Sequence, residues 1–156
     1  MKIIYDIDCL LYFLRIEKAD LLEREFNHIV ISNKVFNSLN NPSIPDFIKD
    51  QLNVLVEKGF VKLEEISLNT ETFDIYYEII NDHKNQVLGD GEASSIAIAI
   101  KNKGTIAYNN PSAISEYLEK YDLKCVTLED IVKHLFKKGR ISEEEFESLL
   151  DCFKNI

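Results

Sequence analysis

The chain has 156 residues, 46% of them apolar and 29% charged, and its 18 Lys and Arg against 27 Asp and Glu leave a net charge of -9. This length fits one domain, residues 1–156, with a substantial core. The acidic balance works against broad attachment to nucleic acid or an anionic membrane and leaves only a local basic patch for such contacts. No apolar run approaches membrane-spanning length, and the start, Met1-Lys2-Ile3-Ile4-Tyr5-Asp6, reads as a first strand rather than a leader. Cys9, Cys125 and Cys152 are odd in number and widely spaced in apolar surroundings, so neither a disulfide framework nor a zinc knuckle is expected. The expectation is a cytoplasmic protein with reduced thiols and no membrane contact.

Residues 2–5 make a β-type run ending at Asp6, after which Leu10, Phe13 and Leu14 recur at helical spacing with Asp8 placed as a cap. Leu21, Leu22 and Phe26 suggest a second short helix, residues 28–31 a second strand, and Asn33 a cap for a helix over 34–39 that Asn40-Asn41-Pro42 breaks. Ile48, Leu52 and Leu55 predict a helix over 45–58 stopped by Gly59 in the left-handed region, followed by a strand over 60–63. Phe73, Tyr76, Tyr77 and Ile80 then fall at i, i+3, i+4 and i+7, an aromatic stripe that reads as core.

Asp90 is placed to cap a helix over 91–103 that is apolar over most of its girth and therefore buried between the sheet and other helices. Gly104 ends it and residues 105–108 return as a strand. Asn110 caps a helix with Pro111 at its first position, residues 124–126 are the last strand, and Thr127 with Asp130 and Ser142 with Glu145 are two capping boxes separated by Gly139. Strands alternating with helices predict a three-layer α/β/α fold, with a central, mostly parallel sheet of about four to five strands joined by right-handed crossovers.

Such sheets bind ligands outside the carboxyl ends of their strands. Asp6 and Asp8, Ser32 and Asn33, and Asn109 and Asn110 fall there, with Asp90 and Glu92 at a helix start that could face them. Two carboxylates about 4 Å apart repel by roughly 4 kcal/mol at an effective dielectric near 20, so grouped acids need protons or a cation, and a hard oxygen-seeking ion such as Mg²⁺ or Mn²⁺ suits them. His28, His83 and His134 lie in unrelated contexts. Asp8, Asp90 and Asn110 also read as N-caps, and Glu92 also serves the helix dipole. Lys133, Lys137, Lys138 and Arg140 form a basic group that reads either as a solvated helix end or as a phosphate-contacting, substrate-binding patch.

The phrase Gly89-Asp90-Gly91-Glu92-Ala93-Ser94-Ser95-Ile96, followed by Gly104, a strand, a polar pair, Thr127 and Gly139, resembles the PIN-domain family, as do Asp6 with Leu10 and Val35 with Leu39. The resemblance spans nearly the whole chain and is closest to the branch with a Gly-Glu-Ala helix motif. It implies an acid quartet binding one or two Mg²⁺ or Mn²⁺ ions and cleaving RNA. Asp6 matches the first acid and Glu92 the third, the catalytic pair. The second falls on Ser38, and the fourth on Asn109-Asn110, so two of the four carboxylates are absent. The reduced metal set is Asp6, Asp90, Glu92 and Asn109. The resemblance implies two alternative functions: a metal-dependent endoribonuclease of the toxin type, or an inactive PIN-like subunit that binds a protein partner, such as an antitoxin or a complex subunit, or itself. An unrelated nucleotide-binding α/β domain is disfavoured because no Gly-rich loop follows the first strand.

Overall fold

The structure is a computed structural model that describes residues 2–82 and 88–154, the side chain of Lys154 excepted. In chain order its elements are β1 (Ile3–Tyr5), α1 (Ile7–Arg15), α2 (Asp20–Glu25), β2 (Ile29–Ser32), α3 (Asn33–Leu39), α4 (Asp46–Glu57), β3 (Val61–Glu64), α5 (Glu71–Ile80), α6 (Asp90–Lys101), β4 (Thr105–Ala107), α7 (Ser115–Lys120), β5 (Lys124–Val126), α8 (Leu128–Lys137) and α9 (Glu143–Lys154), with a 3-10 turn over Pro111–Ile114. The strands form one all-parallel sheet in the order β3-β2-β1-β4-β5. The expected three-layer α/β/α fold is present, at the upper end of the strand number.

Strand alternation divides the core. Ile3, Tyr5, Ile29 and Ile31 face a cluster with α1, α2, α3, α4, α8 and α9, while Ile4, Val30 and Ile106 face one with α5, α6 and α7. Chain direction explains the split. From β1 to β3 the strands step one way with their helices on the first face. From β3 the chain crosses under to β4 and β5 with its helices on the other, as right-handed crossovers require. The direction reverses between β1 and β4, and that switch point is where open α/β sheets place their ligands.

Local chemistry moves several predicted boundaries. The N-cap of α1 is Asp6, with Asp8 inside the first turn. Ser32 rather than Asn33 caps α3, its hydroxyl accepting from the Val35 amide at 3.0 Å. Gly89 rather than Asp90 is the N-cap of α6. Asn110 opens the 3-10 turn and spends its side-chain oxygen on the Ser112 hydroxyl at 2.7 Å, not on a helix amide. On α5 the buried face is Thr72, Tyr76 and Ile79, so Tyr77 stands 60% exposed and stacks on Phe73 instead of entering the core. All three cysteines are free, but only Cys9 is buried and Cys152 is exposed. His83 lies outside the described residues. The two C-terminal capping boxes form as read.

Two glycines act differently. Gly59 stops α4 at φ +80°, as its position predicts. After α6 the left-handed residue is Lys103, at φ 49°, and Gly104 serves a close approach: a Cβ there would lie 2.7 Å from the Lys2 carbonyl oxygen. Gly104 thus lets β4 enter the sheet beside β1.

Candidate acidic site at the switch point

Asp6 follows β1 directly, and its amide donates to the Ala107 carbonyl at 3.1 Å, which ties it to the end of β4. The residue is 2% exposed and its Oδ1 is buried without a hydrogen-bond partner among the described residues. Burial pushes its carboxyl up to about 7. The charges of Glu92 and Asp8 push the same way, and the amides of Ile7 and Asp8 only partly offset them. A buried, underpaired acid with two acidic neighbours costs stability, which makes it a site candidate on physical grounds.

Glu92 reaches the site from the first turn of α6, an element fixed by its own composition. Residues Ala93 to Ala99 are all buried, and Ser94 and Ser95 tolerate this because their hydroxyls lie 2.9 and 2.8 Å from the Gly91 carbonyl, with Ser94 also 2.7 Å from the Ser32 hydroxyl. Glu92 Oε1 accepts from the Gly89 amide at 3.3 Å, and Oε2 accepts from the Tyr108 hydroxyl. Tyr108, next after β4, is 6% exposed. Burial, followed by the hydrogen bond to Glu92, drives its phenol well above the ordinary tyrosine range, so it stays a neutral donor. Nothing in the sequence singles Tyr108 out, because a tyrosine ending a buried strand is ordinary core.

The other candidates distribute as helix geometry dictates. Asp90 and Glu92 are two residues apart, about 200° around a helix, so a helix that turns Glu92 toward Asp6 turns Asp90 away. The Asp90 carboxylate accepts from the Tyr76 hydroxyl at 2.8 Å, stapling α6 to α5. Asp8, in the first turn of α1, takes its place as the third acid of the group, beside Asp6 and Glu92. Asn109 is exposed and borders a cavity together with Asp8. Ser38 is exposed, and its hydroxyl donates to the Lys34 carbonyl at 3.0 Å.

Lys137, Lys138 and Arg140 do not join this site. Helix α8 starts beside the carboxyl end of β5 and runs back for 10 residues, about 15 Å of rise. Arg140 there pairs with Glu25 at 2.7 Å and Arg24 donates to the Arg140 carbonyl at 3.0 Å. Glu25 ends α2 just before β2 begins, so the basic group sits at the amino edge of the sheet.

Among the described residues, no set of three or more His, Cys, Asp or Glu side chains is arranged to hold a metal ion, and no helix is long and apolar enough to cross a membrane. A doubly wound parallel sheet with Asp6 and Glu92 converging at its switch point defines an α/β domain with an acidic site. A family model described as "DUF3368: PIN domain" matches residues 2–156, and the chain belongs to the PIN-domain family. That membership carries a nuclease-like ancestry. No curated protein matches the chain.

Proposed function

We propose that this PIN-domain protein is a single-metal ribonuclease whose Asp6 and Glu92 hold one Mg²⁺ or Mn²⁺. The observation that supports the reading is Asp6: a buried carboxyl with an unpartnered oxygen, pushed up to about 7 by burial and by the charges of Glu92 and Asp8. A divalent cation relieves that repulsion, and Mg²⁺ in particular takes one or two protein carboxylates and fills the rest of its shell with water and phosphate oxygens. The donor set suits one ion and not two, since Ser38, Asn109 and Asn110 bring no carboxylate to flank a second.

When bound, the cation supplies Lewis-acid polarisation of a phosphate and a lowered pKa for water. The chain's own part is to position and exclude. Asp6 gives up its proton near neutrality and presents Oδ1. Glu92 is held from both oxygens, by the Gly89 amide and the Tyr108 hydroxyl, which fixes its rotamer. Asp90 braces α6 through Tyr76 and supports the site from outside. The basic group is not required at the site, and RNA is held instead by groups on the carboxyl edge.

One observation favours a second reading. Glu92 already has two protein donors, so the site closes on itself without a cation, as it would in an inactive PIN-like subunit that binds an antitoxin or another protein. Cleavage of single-stranded RNA with Mn²⁺ by wild type, lost in Asp6→Asn, supports the ribonuclease. Activity that first emerges when Asn109→Asp and Asn110→Asp are introduced supports the inactive subunit.

A further inference from the structure

One cavity beside the acidic site has no part in that reading. Asp8, Leu11, Tyr12 and Arg15 share one face of α1, being spaced at helical intervals, and Ile16 follows as its C-cap. With Leu128 at the start of α8 and Asn109 after β4, they border about 420 Å³, a volume in the range of small-ligand sites.

The lining is graded. Asp8 and Asn109 stand at the end next to Asp6, aliphatic side chains and the Tyr12 ring make the middle, and Arg15 stands about 10 Å farther along the helix axis than Asp8, given 1.5 Å of rise per residue. Arg15 is exposed and has no ion-pair or hydrogen-bond partner among the described residues. Each part selects a different piece of one ligand. Walls of Leu and Ile accept a flat heterocycle. An ionised carboxylate only accepts hydrogen bonds and so selects an exocyclic amino group, while an Asn amide both donates and accepts. A free guanidinium is suited to phosphate.

We propose that this cavity holds one nucleotide of single-stranded RNA, next to the phosphate cleaved at Asp6. Its base lies between Leu11 and Leu128, its edge meets Asp8 and Asn109, and its outer phosphate meets Arg15. Bases with an amino group bind better than uracil, because the uracil edge offers Asp8 a single N–H donor flanked by two carbonyl oxygens that the carboxylate repels. The inference rests on the ribonuclease reading for the identity of the strand, and it does not depend on a metal.

The test is a titration of cytidine and uridine monophosphate into the full chain in EDTA, followed by NMR of the Leu11, Ile16 and Leu128 methyl groups. Cytidine monophosphate should shift these methyls to saturation, and uridine monophosphate should bind at least about tenfold more weakly, on the scale of one lost hydrogen bond to a charged group. Arg15→Ala should weaken cytidine monophosphate roughly tenfold, and Asp8→Asn should bring the ratio of the two nucleotides close to one. Leu11→Trp fills the slot and should abolish binding. Should that variant fail to fold, Arg15→Ala at an exposed position still decides the matter. Shifts confined to other parts of the chain, no shift at all, or equal affinity for the two nucleotides in wild type would overturn the subsite. Nucleotide binding as described in a chain that cleaves no RNA with Mn²⁺ leaves the subsite standing and removes the ribonuclease reading. RNA cleavage whose base preference survives Leu11→Trp removes the subsite alone.

Discussion

The two edges of the sheet carry charge in opposite ways. At the amino edge, Arg140 and Glu25 pair at 2.7 Å, His134 adds a second contact to Glu25, and Arg24 reaches Asp20 and Glu145, all at partly exposed positions where each charge has its opposite. At the carboxyl edge, Asp6, Glu92 and Asp8 share one sign, and among the described residues no cation pairs with Asp6 and its Oδ1 lacks a partner. Solvated pairs of the first kind contribute little and are easily replaced. The second arrangement lowers stability, and a fold keeps such a cost where the site has work to do. The contrast, more than the number of acids, separates the paired charge cluster at one edge from the underpaired one at the other.

The largest expected effect comes from removing the charge at the strained edge. In the folded state Asp6 holds a proton until about pH 7, whereas the unfolded chain releases it near the ordinary aspartate value of 3.8. The folded state therefore binds the extra proton between those values, and stability falls as pH rises through this window, by on the order of 4 kcal/mol for this group. Chemical denaturation should show Asp6→Asn more stable than wild type at about pH 8 and the advantage gone near pH 4. A parallel pH dependence in the two proteins would mean that Asp6 is not the strained acid.

Next in size is the clamp on Glu92. Tyr108→Phe leaves a half-buried carboxylate short of a donor and should cost about 1–3 kcal/mol, while Glu92→Gln in the same background should show less than the sum of the two single changes in a double-mutant cycle. Strict additivity would break the proposed link between β4 and α6. Gly104→Ala is expected to destabilise by about 1–3 kcal/mol, because the Lys2 carbonyl must move to admit a Cβ. This effect should be independent of pH, which separates packing at the sheet from strain at the site. Smallest of all is Arg140→Ala. It opens an exposed pair at the quiet edge and should barely move the melting temperature, RNA cleavage or Mn²⁺ binding. A large loss of cleavage in that variant would return the basic group to the site.

Much of the fold is written in local patterns. Helices α4, α6, α8 and α9 announce themselves by apolar spacing and by caps such as Thr127 with Asp130, since these depend on neighbours within one turn. Strand order is not local: nothing in residues 105–107 says that they pair with β1 rather than β3, and the switch point becomes visible only once that pairing is known. Within the site, Asp6 and Glu92 were legible from the end of an apolar run and the start of a helix. Asp90 turns to Tyr76 instead of Asp6 for a reason the sequence does hold, because two residues on a helix point to nearly opposite sides. Tyr108 carried no signal, its type being common in cores. The basic group misled because adjacency in sequence to Thr127 hides a helix that carries Lys137 to the far edge.

The central claim is that the strain at Asp6 is relieved by a divalent cation held with Glu92. Calorimetric titration of Mn²⁺ at about pH 8, where Asp6 has released its proton, tests it most directly on wild type, Asp6→Asn and Glu92→Gln. The account predicts one ion bound per wild-type chain and loss of that binding in both variants. No binding in wild type, or undiminished binding in Asp6→Asn, would contradict it.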